Sequence, residues 1–445
     1  MIDRKVEAKI REWINSSKTA LLLSGARQVG KTFSIRRTLK NAGCNYLEIN
    51  LIDQPELVPV LENSRSVEDL IINISAATNY SFVKGETFLF IDEIQELKDI
   101  VTRIKFWVDE GSFRYILSGS LLGIELNDLR SAPVGYIQEI QMYPLDFEEF
   151  LLASGVQEDV IKYLKKCFDA REPVSDIVHD KMMQHFRRYL VVGGMPAAVA
   201  EYIETGDIGK VTTIQTNIIE QYKRDFTKYE SRDKKLMIVQ IYDTMPSQLL
   251  KQNRRFNYSD MRKGLRFERL ESSFIWLASA GVVIPVLNAT EPRVALRQNQ
   301  KNSLLKLYSS DVGLLTAKYG NALRTKILIG DDKINLGGIY ENAVCEELNT
   351  HGIRAYFYNS HKIGELDFII EEDNAAVPIE VKSGKDYYVH SAISKVTSTA
   401  EYEIDKAYVL TNHNVSVDDK LIYMPVYMSM FIYDDSKLPI LEPLL

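Results

Sequence analysis

Between Ala20 and about Phe150, short apolar runs alternate with amphipathic stretches, the pattern of a parallel sheet whose strands are joined by helical crossovers. The runs ALLLSGA, NYLEINL, TFLFIDE and FRYILSG are the predicted strands. Apolar, β-branched and aromatic residues followed by Gly or an acid mark buried strands that end at a functional edge, where sheets of this class place their ligands. From about Glu158 to Asn302 the helical period takes over, in DVIKYLKKCF, KMMQHFRRYL and KVTTIQTNIIEQY, and VGGMP at Val192 to Pro196 separates two helical segments. After Gly337 the pattern turns again. GIYENAVCEELNTHG predicts a helix, and RAYFYN, ELDFIIE, VPIEVKS and KAYVLTN predict strands of a compact α/β or α+β module. There is no tandem repeat and no low-complexity tract.

Composition adds that the chain is globular: 445 residues, 45% hydrophobic and 26% charged, enough for roughly two to four domains with their own cores. Cys44, Cys167 and Cys345 are few, odd in number and far apart, which fits neither a disulfide framework nor paired zinc thiolates. The start MIDRKVEAKIREWI mixes acids and bases, and the longest apolar stretch, Phe274 to Leu287, is too short for a bilayer. A soluble, cytoplasmic protein without membrane attachment is expected. The net charge is −7, but from Gln221 to Leu270 thirteen basic residues face six acidic ones. That local +7 leaves −14 for the rest of the chain.

The sharpest motif is Gly25-Ala26-Arg27-Gln28-Val29-Gly30-Lys31-Thr32, which matches GxxxxGK[ST] and lies between an apolar strand and an amphipathic segment. In such a loop the backbone amides of residues 25–33, ending at Phe33, wrap the phosphates of ATP. Lys31 is expected on the β and γ phosphates, with the Thr32 hydroxyl on Mg²⁺. Downstream, TFLFIDEIQ ends a strand in Asp92 and Glu93; Asp92 is placed to hold the metal and Glu93 to polarise the attacking water. The next strand ends in Ser118 and Ser120, either a γ-phosphate sensor or an ordinary turn former, with Ser120 the residue assigned to the nucleotide. Arg27, Arg103 and Arg130 are the candidates for a charge-completing arginine, each against a solvated surface role.

LSGARQVGKT, LFIDEIQ, ILSGSLLG, MYPLDFEEFL and VGGMPAAV, followed by GELDF and IEVKSG, resemble in kind and order the prokaryotic AAA-superfamily ATPases that carry a C-terminal domain of unknown function, related to archaeal-type ATPases. The likeness covers nearly the whole chain. Relatives often have a basic residue after PVG, where this chain has Tyr136. The stretches KKLMIVQIYDTMPSQLL, FNYSDMRKGLR and LESSFIWLASAGVVIPVLN read as three helices and a hairpin, the layout of a winged helix, which the resemblance also implies. Lys251, Arg254, Arg255, Arg262, Lys263, Arg266 and Arg269 are then the DNA-contacting candidates, against a solvated charged face on a helical domain.

In the C-terminal part, Gly364-Glu-Leu-Asp367 and Pro378-Ile-Glu380-Val-Lys382 resemble the active-site core of PD-(D/E)xK nucleases. Residues two apart on a strand share a face, so Glu380 and Lys382 point together. Asp367 and Glu380 would share Mg²⁺ and Lys382 would activate water, with Glu341 where similar nucleases place a helix carboxylate near the metal. A nuclease-like fold kept for recognition or packing is the competing reading. The six histidines, His179, His185, His351, His361, His390 and His413, show no ligand spacing.

The expected fold is thus α/β, in four parts: a P-loop AAA ATPase core with a parallel sheet (1–155), a helical lid (156–230), a winged-helix-like domain (231–330) and a restriction-endonuclease-like domain of PD-(D/E)xK type (331–445). The expected function is Mg²⁺-dependent ATP hydrolysis coupled to DNA binding through 221–270, with metal-dependent DNA cleavage by the C-terminal domain. The alternative is a nucleotide-dependent switch that binds a protein partner or its own copies through a non-catalytic nuclease-like domain.

Overall fold

The structure is a computed structural model that describes residues 2–97, 100–120, 135–226, 232–331, 333–384, 388 and 391–434. The chain divides into two compact units, 1–144 with 279–281, and 145–278 with 282–445.

The first unit contains α1 (Lys5–Ser16), β1 (Ala20–Gly25), α2 (Lys31–Asn41), β2 (Asn45–Asn50), α3 (Leu57–Asn63), α4 (Val67–Thr78), β3 (Thr87–Asp92), α5 (Ile100–Glu110), β4 (Arg114–Ser120) and β5 (Ile137–Met142). Its five strands form one sheet in the order β2-β3-β4-β1-β5, with every neighbouring pair parallel. Every residue of β1 and β3 is buried, because helices cover both faces of the sheet and both sets of side chains must be apolar. Along β1, Ala20 and Leu22 enter a core with Leu61, Leu70, Ile74 and Trp107. Leu21 and Leu23 enter the opposite core with Ile10, Trp13, Ile35 and Leu39. Each such leucine contributes roughly 2 kcal/mol by burial. All four predicted strands of this region are strands. β5 is a fifth that the hydrophobic pattern does not announce, since IQEIQM is an edge strand with only Ile140 and Met142 buried.

The second unit begins with five helices: α6 (Phe147–Ala153), α7 (Glu158–Ala170), α8 (Asp176–Val192), α9 (Pro196–Thr205) and α10 (Ile208–Phe226). It continues through α11 (Arg232–Leu249), α12 (Glu271–Ser279), β6 (Val283–Ala289), β7 (Gln300–Ser309), α13 (Val312–Tyr319) and α14 (Asn321–Ile329). Last come α15 (Gly337–Thr350), β8 (Tyr356–Ser360), β9 (Gly364–Glu372), β10 (Ala375–Val381), α16 (Ser391–Ser398), β11 (Ala407–Thr411), β12 (Ser416–Asp418) and β13 (Leu421–Pro425). Its strands form one mixed sheet, β12-β13-β11-β10-β9-β8-β6-β7.

Two expectations about the middle of the chain change here. FNYSDMRKGLR is not a helix but a loop with one short 3₁₀ turn, Tyr258–Asp260, and a second such turn, Phe267–Arg269, follows it; Gly264 at φ +79° lies between the two. The hairpin β6/β7, expected as the wing of a separate domain, pairs in parallel with β8. The winged-helix layout is therefore not confirmed: two of its three helices and the hairpin form, and that hairpin, before the expected boundary at 330/331, shares a sheet with the strands after it. The cause is register: Leu287, Asn288 and Ala289 find partners in Tyr356, Phe357 and Tyr358, so the hairpin buries its apolar side in the larger sheet.

VGGMP has a structural explanation within this unit. Gly194 donates its N–H to Asp311 Oδ2 (2.7 Å) and accepts from Leu145 N (2.7 Å). A Cβ on Gly194 would collide with the Leu145 carbonyl, and one on Gly193, at φ +70°, with the Asp311 carboxylate.

Candidate functional site

The loop after β1 is closed by close approaches that only glycine permits. A Cβ on Gly25 would run into the Met142 carbonyl oxygen of β5, and Gly30 precedes α2 in the left-handed region, φ +97°. Val29 is fully buried, and its carbonyl accepts from Arg4 Nη1 at 2.9 Å, while Arg4 Nη2 reaches the Tyr143 carbonyl at 2.7 Å. Ala26 is buried, Arg27 half-buried and Gln28 exposed at φ +64°. Phe33 is exposed, with the Arg37 guanidinium over its ring at 5.6 Å. The turn thus presents its backbone at the N-terminus of an eleven-residue helix, where amide dipoles favour an anion.

Lys31 folds back over this loop, donating to the carbonyl oxygens of Gly25 (3.1 Å) and Ala26 (2.8 Å). Burial lowers its pKa to about 8 and outweighs the opposing pull of Glu93 and Asp92. The Thr32 hydroxyl donates to Asp92 Oδ2 at 2.7 Å, joining the start of α2 to the end of β3. Asp92 Oδ1 accepts from Glu93 N at 3.0 Å, and Gln95 Nε2 donates to Glu93 Oε2 at 2.5 Å. Glu93 itself is at φ +56°, a strained setting for a residue with a side chain, of the kind that clusters at functional sites. The structure therefore brings Lys31, Thr32, Asp92 and Glu93 together, as the motifs require. A hydroxyl and a carboxylate oxygen in contact are the hard oxygen donors Mg²⁺ prefers.

On β4, Ser120 pairs in register with Gly25 and Ser118 with Leu23. Ser118 is fully buried, its hydroxyl without a hydrogen-bond partner among the described residues, while Ser120 is half-buried. Arg103 is tied to the Ser64 carbonyl at 3.1 Å, which anchors α5 to the end of α3 and accounts for it structurally. Arg130 lies outside the described residues. Tyr136 lies beneath Lys105, 5.5 Å from the ring centroid. Arg4, whose partners are 25 and 139 residues away, is a loop-shaping residue that no motif signals.

In the second unit, Glu341 on α15, Asp367 on β9, and Glu380 and Lys382 at the end of β10 lie in one cluster. Lys382 Nζ contacts Glu380 Oε1 at 2.8 Å, and Asp367 Oδ2 accepts from Val381 N at 2.9 Å. Two cations that had other expected roles, or none, join them. Arg254 pairs with Glu341 and lies 4.0 Å from Asp367. Lys306 of β7, fully buried, lies 3.1 Å from Glu365, 3.7 Å from Glu341 and 3.7 Å from Asp367. Burial and Asp367 raise Glu341 to about 8, and burial and Asp367 raise Glu380 to about 7. Asp367 is held low although burial opposes it, because Lys306 and Arg254 face it.

The DNA-contacting set is split accordingly. Arg254 is in the acid cluster, Arg255 lies 3.5 Å from Glu365, and Lys251 is paired with Asp260. Arg262, Lys263, Arg266 and Arg269 are exposed on the loop between α11 and α12. Among the described residues, Asp146, Glu347 and His351 also bring one ligand atom each within 4.8 Å of one another. They have structural tasks: Asp146 caps α6, Glu347 accepts from Phe147 N at 3.2 Å, and His351 Nδ1 donates to the Ile432 carbonyl at 2.8 Å.

No described helix is long and apolar enough to cross a membrane. Residues 17–151 match the family described as AAA domain, and 183–324 and 336–428 match two families described as domains of unknown function (DUF8612 and DUF4143). A search of curated proteins gave no match. Solved structures with a loosely similar course include a Walker-type ATPase of Pyrococcus abyssi, at 18% identity over 72% of this chain and 96% of that one, TM-score 0.42. The ORC1 protein of Aeropyrum pernix in complex with DNA matches at 13% identity over 74% and 95%, TM-score 0.29. RuvB of Thermotoga maritima matches at 17% over 68% and 92%, TM-score 0.30. The motif geometry and the family match over the same residues make 17–151 an AAA-type P-loop ATPase domain.

Proposed function

We propose that this protein hydrolyses ATP with Mg²⁺ at the site formed by residues 25–33, Asp92, Glu93 and Ser120, and couples its nucleotide state to DNA binding by the second unit. The observation that supports it best is the 2.7 Å hydrogen bond from Thr32 to Asp92, which couples the phosphate loop to the acidic strand end. Thr32 and Asp92 would hold Mg²⁺, which when bound neutralises phosphate charge. The backbone amides of the loop bind and orient the triphosphate, and Lys31 leaves its two carbonyl partners to meet the phosphates. Glu93 accepts the proton of the attacking water, held at the strand end by Gln95 until substrate arrives. Ser120, opposite Gly25, senses the terminal phosphate.

DNA binding falls to the exposed Arg262, Lys263, Arg266 and Arg269, not to Arg254 or Arg255, which are engaged with acids. Metal-dependent cleavage is no part of the proposed activity, because Glu341 and Asp367, which would hold the metal, already face Arg254 and Lys306. That same closure favours the second reading, a nucleotide-dependent switch for a protein partner. Capture of a defined partner with ATP but not ADP, without DNA affinity at low salt, would select it.

Phosphate release by the full chain tests the ATPase limb. Lys31→Ala should fall to background, and Glu93→Gln should keep ATP binding while kcat drops about 10²–10⁴-fold. A Lys31→Ala variant as fast as the parent would refute the proposal.

A further inference from the structure

Four carboxylates and four cations close on one another at the C-terminal acid cluster. The acids are Glu341, Glu365, Asp367 and Glu380, and the cations are Arg254, Arg255, Lys306 and Lys382. We propose that Arg254 and Lys306 stand where a divalent cation would, so that this cluster is an ion-pair centre that takes no metal and cleaves no nucleic acid.

Position carries the first part of the argument. Lys306 Nζ is 3.7 Å from both Glu341 Oε2 and Asp367 Oδ1, so its ammonium occupies the space between the helix carboxylate and the strand carboxylate. The Arg254 guanidinium contacts the same two residues. Mg²⁺ requires oxygen ligands at about 2.0–2.1 Å and keeps several waters. Placed between Glu341 and Asp367, it would lie within a few ångströms of two fixed positive groups in a site with little water to screen them, where like charges repel strongly. Tyr308 also donates to Glu341 Oε2 at 2.8 Å and Val381 N to Asp367 Oδ2 at 2.9 Å, which leaves Glu380 Oε2 as the buried carboxylate oxygen of this set without a hydrogen-bond partner or facing cation among the described residues.

The second part is that the protein is shaped for this arrangement. Phe256 N donates to the Leu305 carbonyl at 2.8 Å, and Arg255 bridges Lys306 in antiparallel register, which pins the arginine segment against β7. On the other side, α15 begins with Gly337 and Gly338. A Cβ on Gly337 would strike the Arg254 guanidinium, and one on Gly338 the Leu249 carbonyl oxygen. The helix that carries Glu341 is thus cut away where Arg254 lies. Lys306 is fully buried on a strand, a position a lysine holds only with its charge satisfied. Asp367, Glu380 and Lys382 keep a nuclease-like spacing, while the added cations remove the vacancy that a metal would fill.

The test uses the full chain without nucleotide. Mn²⁺ is titrated into the parent and Asp367→Asn, and free Mn²⁺ is followed by electron paramagnetic resonance. Equal binding by the two is expected; a Mn²⁺ site present in the parent and lost in Asp367→Asn overturns the proposal. DNA cleavage by the parent that disappears in Lys382→Ala overturns it as well. A thermal cycle reads the pairing itself. Arg254→Met should lower Tm by about 5 °C or more, because Glu341 is left buried without its partner, and adding Glu341→Gln should recover part of that loss. An unchanged Tm, or no recovery in the double variant, rejects the role assigned to Arg254. If Arg254→Met does not fold, Arg254→Lys and Glu341→Gln, singly and together, give the same coupling: non-additive shifts support it and additive shifts reject it.

Discussion

Lys31 is held by two backbone carbonyls in a buried setting that lowers its pKa to about 8. Burial disfavours its charge, and a triphosphate placed beside it would restore that charge by attraction. At pH 8 about half of the Lys31 side chains are neutral before ATP arrives, so binding should take up roughly half a proton per site, falling toward a tenth at pH 7. Calorimetry of ATP binding in buffers of different ionisation enthalpy measures this directly. Proton release, or no pH dependence between 7 and 9, would remove the assigned protonation state. The residues of this site were legible because each motif is local: a glycine-framed loop before Lys31 and Thr32, and an apolar strand before Asp92 and Glu93. Arg4 and Lys306 were not, since their roles come from partners such as Tyr143 and Glu341, which only the fold brings near.

At the level of elements, VGGMP shows why a legible motif need not be a chemical one. Gly193 and Gly194 end α8 where the Asp311 cap of α13 and the loop residue Leu145 press against the backbone. Gly194→Ala should therefore destabilise the second unit by about 1–3 kcal/mol, through a clash that rigid backbone cannot relieve. Gly384→Ala, with an ordinary φ and nothing within 4 Å of the added Cβ, should stay within about 0.5 kcal/mol of the parent. Urea unfolding of both variants checks the difference, and equal stabilities would discard the packing account. Buried strands such as β1 and β3 announced themselves by unbroken apolar runs, whereas β5, half exposed at an edge, did not. FNYSDMRKGLR carries the polar and apolar alternation of a short helix, yet Gly264 at φ +79° and the ion pair of Asp260 with Lys251 hold it as a loop. The partnership of β6 with β8 depends on residues about seventy positions apart, a long-range pairing that local periodicity does not encode.

For the molecule as a whole, charge decides what a polyanion would meet. The chain carries −7, and the basic 221–270 segment reads as +7 in the sequence, but two of those charges are spent on acids outside it. Arg254 pairs with Glu341 and Arg255 with Glu365, while Lys223 and Lys251 pair with Asp243 and Asp260 within the segment. Of the seven DNA candidates, the loop residues Arg262, Lys263, Arg266 and Arg269 remain on the surface. If these four contact phosphates, the logarithm of the DNA association constant should fall with the logarithm of salt concentration with a slope of about −3 to −4. Neutralising Arg262 and Lys263 should weaken binding at every sequence and reduce that slope by roughly two. Arg254→Met should leave it unchanged, because a guanidinium already held by Glu341 releases no counterions from DNA. Fluorescence anisotropy with a labelled duplex across a salt series separates these variants. A slope that responds to Arg254 and not to the loop would place the phosphates at the acid cluster instead, against its own negative charges, and a slope near zero with no binding at low salt would take DNA out of the function altogether.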